Sequence, residues 1–140
     1  MPRRFFAASL IALSLVSSAG LAQDAPSPDG ARQLIEKQLD AFAHDDAVAA
    51  YALAAPRIKA MFPDPNIFMA MVQAGYPAVY HHRSVEFGPS QASDGAIAQA
   101  VTFTDGDGQV WSAIYSLEKQ GDGGWAIAGC VMAKSADKAL

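Results

Sequence analysis

The chain is poor in cysteine, in clustered positive charge and in long apolar runs, and each of these shortages excludes a kind of structure or partner. It has one cysteine, Cys130, so no disulfide can form within it. Its ten Lys and Arg stand against fourteen Asp and Glu and form no basic cluster, which makes nucleic acids and anionic membrane surfaces poor partners. Its longest apolar run, at residues 5–16, is too short to span a bilayer.

That apolar run is typical of an export signal. Arg3 and Arg4 precede it, and small residues that end at Ala22 follow, which predicts cleavage after Ala22. We therefore expect an acidic mature domain in the periplasm or outside the cell, with no insertion in the membrane. A partial twin-arginine pattern leaves open whether export occurs before or after folding. Residues 23–30 are rich in Pro, Ser and Asp and predict a flexible linker.

Apolar spacing in the first half of the chain predicts three helices, at residues 31–43, 47–55 and 65–75, with a short helical turn at 58–62. Either Asp45 or Asp46 can cap the second helix, and Pro56 ends it. Asp64 caps the third helix and Gly75 closes it.

From Tyr76 onwards the pattern alternates with a period of two. It predicts strands at residues 78–82, 84–87, 97–104, 109–120 and 125–132, with glycine-rich hairpin turns at 105–108 and 121–124. One face of the fourth strand carries Trp111, Ala113, Tyr115 and Leu117, and one face of the last carries Trp125, Ile127, Gly129 and Val131.

This order predicts an α+β class, with three N-terminal helices packed on one side of a curved antiparallel sheet. The domain is expected at residues 31–133, followed by a disordered tail at 134–140.

Three segments of the sequence resemble a known family. They are QLDAFAHDDAVAAYALAAPRIKAMF at residues 38–62, FMAMVQAGYPAVYHHRSVEFG at 68–88, and the tail from Trp111 through WAIAGCVM at 125–132. Together they resemble an exported bacterial domain of unknown function, number 4864, over residues 33–132. That family is similar in outline to the cone-shaped, cystatin-like superfold of nuclear transport factor 2, which includes ketosteroid isomerases and polyketide cyclases. The resemblance implies no catalytic residues, since fold alone does not transfer function.

No motif predicts a metal, nucleotide or cofactor site. His81 and His82 are adjacent in a predicted strand, so they point to opposite faces and cannot easily share a metal. Helix capping accounts for Asp45 and Asp46. The turn at residues 105–108 lacks the later carboxylates of a calcium loop. The glycines cluster in hairpins and not between a strand and a helix, so no phosphate-cradling loop is predicted.

The aromatic residues of the sheet region are the least ordinary feature. They predict an apolar pocket lined by Tyr76, Tyr80, His82, Trp111 and Tyr115, since buried Tyr and Trp need partners for their polar ends. Cys130 is expected to be a buried small hydrophobe, although pairing with a partner chain stays open.

Three function classes follow from these features. The leading one is a non-enzymatic module that binds a small apolar or amphipathic ligand. An isomerase, cyclase or hydratase that uses His82 or an aspartate as base is the second. The third is a protein-interaction domain, one form of which is a homodimer through the outer face of its sheet.

Overall fold

The structure is a computed structural model that describes the backbone of residues 28–138 and the side chains of residues 30–135. Its helices are α1 (Pro28–Ala43), α2 (Ala47–Ala52), α3 (Pro56–Met61), α4 (Pro65–Gly75) and α5 (Pro77–Tyr80). Its strands are β1 (His82–Ser93), β2 (Ala96–Asp105), β3 (Gln109–Lys119) and β4 (Trp125–Lys138). The α+β class is confirmed. The predicted leader and most of the predicted linker lie outside the described residues.

The two aspartates between α1 and α2 have different roles. Asp45 has a φ of 52°, its N–H donates to the Phe42 carbonyl at 3.1 Å, and the Asp46 N–H donates to the Ala41 carbonyl at 2.8 Å. This pair of bonds around a left-handed residue is a common helix ending. The Asp46 side chain then accepts the Ala49 N–H at 3.0 Å. Of the two candidates, Asp46 therefore caps α2.

The segment after α4 is helical, so the predicted strand at residues 78–82 is wrong. Pro77 occupies the first position of α5, where its fixed φ suits a helix and its missing N–H costs nothing. Ala78, Val79 and Tyr80 are all buried. A strand would turn every second residue to the other face, whereas a short helix between α4 and β1 can bury all three. The prediction that Pro56 ends the second helix is also wrong, because α2 ends at Ala52 and Pro56 begins α3, where its fixed φ suits the first helical position. The described residues thus contain five helices where three are predicted.

The strands form one antiparallel sheet in the order β1-β2-β3-β4. Both predicted hairpin turns join strands as expected, and Gly108 and Gly123 take the positive φ that these turns require. β1 runs from His82 to Ser93, which makes it much longer than the predicted strand at 84–87. β4 continues to Lys138, so the sheet extends past residue 133, into the predicted tail.

β3 alternates as predicted. Ala113, Tyr115 and Leu117 are at most 2 % exposed, whereas Ile114 between them is 47 % exposed. α1 and α5 contact the sheet, and α2 packs against α1 and α4. The core therefore lies between the helices and the face of the sheet that carries Tyr115.

β4 departs from its predicted alternation at a β-bulge. Ile127 and Gly129 pair with consecutive residues of β3, so Ala128 between them has no partner on that strand. One extra residue reverses the faces of every side chain beyond it. Ile127 is therefore buried while Val131 is 73 % exposed. The predicted shared face of these residues is wrong, and Cys130 faces the core instead.

No helix within residues 28–138 is long and apolar enough to cross a membrane.

Candidate functional site

A cavity lies between the helices and the core face of the sheet. Its volume is about 200 Å³, and its apolar walls include Phe42, Ile58, Phe62, Phe68, Val72 and Val79. Met61 also lines the cavity and is 68 % exposed, so the cavity opens to solvent on that side. A dry apolar cavity of roughly 150 Å³ is known to admit benzene. A molecule with one aromatic ring, or a short aliphatic chain, therefore fits.

Helical spacing places side chains of α4 and α1 on the wall of the cavity that lies opposite the sheet. Asp64 caps α4 with its side chain, and Phe68 and Val72 follow on one face because they are four residues apart. On α1, Gln38 and Phe42 share a face for the same reason. These two helix faces meet above the sheet, and the cavity is the space that their side chains leave unfilled.

Few polar atoms reach the cavity, and none of the described side chains that line it is charged. The polar lining side chains are those of Gln38, Tyr76, Tyr115 and Cys130. The Gln38 amide nitrogen donates to the Ala50 carbonyl at 3.4 Å. Tyr115 and Cys130 are direct partners across β3 and β4, and the Tyr115 hydroxyl donates a hydrogen bond to the Cys130 sulfur.

Burial controls the charge of these polar groups. It raises the pKa of the Cys130 thiol to about 12, outweighing the Tyr115 hydrogen bond, which lowers that pKa. Burial, and after it the neighbouring Cys130, raises the pKa of the Tyr115 hydroxyl well above its usual value. Both groups therefore stay protonated near neutral pH, and the cavity is uncharged.

Cys130 should consequently be a slow nucleophile in the native protein. A thiol pKa raised from 9.0 to about 12 reduces the thiolate fraction at pH 8 about a thousandfold, and thiolate is the reactive form. We expect alkylation by iodoacetamide at pH 8 to be at least about a hundredfold slower in buffer than in urea. Equal rates in the two conditions would show that the thiol is freely accessible.

A second hollow adjoins the cavity. Its volume is about 490 Å³, and Tyr76 and Cys130 line both spaces. Trp111 lines this outer hollow, and its indole N–H donates to an Asp105 carboxylate oxygen at 3.0 Å. That hydrogen bond is the main cause of the lowered pKa of Asp105. The outer hollow offers room for part of a ligand that is longer than the cavity.

The model of a family described as "Domain of unknown function (DUF4864)" matches residues 25–140. The chain belongs to this family. The match confirms the resemblance read from residues 33–132. None of the curated proteins matches the chain. Because the DUF4864 description names no activity, the function of this domain must be argued from its cavity.

The five residues predicted to line a pocket of this DUF4864 domain lie in three places. Tyr76 and Tyr115 line the cavity, and Trp111 joins Tyr76 in the outer hollow. Tyr80 and His82 line neither of these spaces. The His82 ring packs 5.6 Å from that of Phe103, measured between centroids. Ligand binding by the five residues stays a prediction.

Tyr80 instead connects the helices. Its hydroxyl donates to the Asp45 carboxylate and accepts a hydrogen bond from the Gln73 amide nitrogen at 3.0 Å. The bond to Asp45 is the main cause of the raised pKa of the Tyr80 hydroxyl. Tyr80 thus holds the turn between α1 and α2 against α4.

Sequence reasoning did not assign Gln38, Phe42, Phe68 and Val72 to a site. Their spacing identifies inward helix faces, but spacing cannot tell a filled core from one that keeps a hollow. Cys130 is predicted to be a buried thiol, with pairing to a partner chain left open, and not to line a pocket, because the bulge that turns it towards the cavity leaves no clear mark in the sequence.

The remaining candidates are explained by local structure. One Asp105 carboxylate oxygen accepts the N–H groups of Asp107 and Gln109, both at 2.9 Å, so the carboxylate stabilises the hairpin turn. His81 lies directly after α5 and not in a strand, so the opposite-face argument for the two histidines does not apply. Among the described residues, no group of three or more His, Cys, Asp or Glu could hold a metal ion.

Proposed function

We propose that this DUF4864 domain binds a small apolar or amphipathic molecule in its cavity. The observation that carries the proposal is the uncharged, mostly apolar space of about 200 Å³ between helices and sheet. Binding sites for small molecules are commonly concave and apolar, with a few polar groups that orient the ligand. Tyr76, Tyr115 and Cys130 supply such groups, and the outer hollow can hold the rest of an amphipathic ligand.

The chemistry of the lining favours binding over an isomerase, cyclase or hydratase reaction. Such reactions need a general base whose pKa lies near the working pH. Within residues 30–135, the lining includes no carboxylate and no imidazole, and the pKa values of Tyr115 and Cys130 move away from neutral. His82, the base considered for an enzyme, lies outside the cavity.

A homodimer through the outer sheet face has weaker support. Ile114 and Val131 are exposed there and lie opposite each other on β3 and β4. A stable interface buries about 800 Å² per partner, which is far more than two such side chains provide. Ligand binding therefore remains the leading proposal.

The proposal also includes export and a distant relationship. A periplasmic or secreted location rests on the leader predicted at residues 1–22. Similarity to the cone-shaped nuclear transport factor 2 superfold rests on the order of helices before an antiparallel meander. Neither adds a catalytic role.

The test is to fill the cavity. Ethylbenzene at ten times its Kd should raise the melting temperature of the wild-type protein by about 5 °C, since ligand binding then adds about 1.4 kcal/mol. In Cys130→Leu the larger side chain occupies the cavity, so we expect at least about tenfold weaker binding in a calorimetric titration, with stability changed by less than about 1.5 kcal/mol.

Val131→Leu is the matched control, because this neighbour on β4 points to the outer face. It should bind ethylbenzene like the wild type. Absence of binding to the wild-type protein, or equal binding by wild type and Cys130→Leu, would refute the proposal.

A further inference from the structure

The four tyrosines of the chain differ in what their hydroxyl groups bind. The Tyr51 hydroxyl donates to the Phe62 carbonyl at 2.7 Å, and that of Tyr80 donates to the Asp45 carboxylate. Neither of these two side chains lines the cavity. Each has the oxygen acceptor that a hydroxyl withdrawn from water normally finds.

The two tyrosines that line the cavity lack such an acceptor. Tyr115 is 1 % exposed, and its only hydrogen-bond partner within the described part of the chain is the Cys130 thiol. Sulfur is a weak acceptor. The Tyr76 hydroxyl has no protein hydrogen bond among the described residues, and its charge affects the pKa of Tyr115, so the two side chains are close neighbours. The Tyr115 hydroxyl, whose partner is a weak acceptor, gains by meeting a stronger one.

We infer that the ligand supplies this acceptor, as one uncharged oxygen of a carbonyl or ether group on a small aromatic or aliphatic body. The inference rests on the proposed function, since it concerns the same cavity. The ligand oxygen would accept a hydrogen bond from the Tyr115 hydroxyl in place of the Cys130 sulfur, while the apolar body contacts Phe42, Phe68 and Val72.

The lining also excludes a charged ligand. A carboxylate placed in the cavity would lose its hydration, and no lining side chain in the described part of the chain carries the positive charge that would compensate. Because burial keeps both Tyr115 and Cys130 protonated, donors and not anions face the ligand at neutral pH.

Three probes of similar size test the inference: ethylbenzene, acetophenone and benzoate. Their affinities are measured by calorimetric titration of the wild type and of Tyr115→Phe, which removes the hydroxyl and keeps the ring. We expect Tyr115→Phe to weaken acetophenone about tenfold while ethylbenzene changes less than about twofold. Benzoate should not bind to either protein. The probes differ in how strongly water hydrates them, but this difference is the same for both proteins. It therefore cancels when the affinity of each probe for the wild type is compared with its affinity for Tyr115→Phe.

Tyr80→Phe is the matched control, since it removes a buried hydroxyl outside the cavity. This variant should leave the ratio of acetophenone to ethylbenzene affinity unchanged, even if it lowers the melting temperature. The carbonyl stretch of bound acetophenone gives a second readout that needs no variant. Its infrared frequency should lie below that in a hydrocarbon solvent, as for a hydrogen-bonded ketone.

The results separate the two proposals. If Tyr115→Phe left the ratio of acetophenone to ethylbenzene affinity unchanged, or if the carbonyl band did not shift, the proposal of a ligand acceptor would be overturned. Binding of ethylbenzene would still support the proposed function. Binding of benzoate at an affinity similar to that of acetophenone would also overturn the proposal of a ligand acceptor. Failure of ethylbenzene to bind would overturn the proposed function and, because the inference rests on it, the ligand acceptor as well.

Discussion

Replacing Phe103 with alanine should lower the free energy of unfolding by about 4 kcal/mol. Phe103 is fully buried near the end of β2, and its ring lies 5.6 Å from the His82 ring and 6.4 Å from the Tyr115 ring, between centroids. Truncation removes these contacts and leaves a void beside the floor of the cavity. The native interior is close-packed, so the backbone cannot collapse far enough to refill the void.

Urea unfolding measures this effect. With a slope of about 2 kcal/mol per molar urea, the midpoint should fall by about 2 M. Ile114→Ala is the control, because this residue lies on β3 but points to the outer face and is 47 % exposed. We expect it to cost less than about 1 kcal/mol. Similar losses for the two variants would contradict the placement of the core on the Tyr115 face.

A series at Asp45 should separate backbone strain from a hydrogen bond. Asp45→Ala is expected to cost about 2 kcal/mol, because a left-handed φ of 52° is costly for alanine and the partly buried Tyr80 hydroxyl loses its acceptor. Asp45→Gly tolerates the left-handed φ but still deprives the Tyr80 hydroxyl of its acceptor, so we expect a loss of about 1.5 kcal/mol in the free energy of unfolding. Asp45→Asn tolerates this φ and keeps an oxygen acceptor, so it should stay within about 1 kcal/mol of the wild type.

The order of the three variants in urea unfolding is the measurement. Asp46→Ala should cost about 1 kcal/mol, as for loss of an ordinary helix cap, and serves as the neighbouring control. If Asp45→Asn were as unstable as Asp45→Ala, neither the backbone conformation nor the bond to Tyr80 could explain the role of this residue.

Sequence patterns predicted those elements whose cause is local. The Asp64-Pro65 pair begins α4, where a cap and a fixed φ act within a few residues, and α4 ends at Gly75 as predicted. The hairpin turns at residues 105–108 and 121–124 follow from their glycines. The alternation that buries Tyr115 and exposes Ile114 follows from the two-residue period of a strand.

The predictions failed where contacts with residues distant in the sequence determine the local structure. Residues 78–82 have strand-like composition, yet packing between α4 and β1 makes most of them α5. The bulge at Ala128 depends on how β4 pairs with β3 and on the Leu53–Ala55 segment, which bonds to Ile127 at the sheet edge. Neither of these partners is near Ala128 in sequence, so a local pattern cannot report the shift.

By itself, the sequence determined an acidic α+β chain of the DUF4864 family, with helices before an antiparallel sheet, because spacing, caps and turn residues act over a few positions. Only the tertiary structure decided that Cys130 faces Tyr115 and that a cavity remains above them. Both depend on the register of two strands and on how well helix side chains fill the space above the sheet, and these are properties of the packed molecule as a whole.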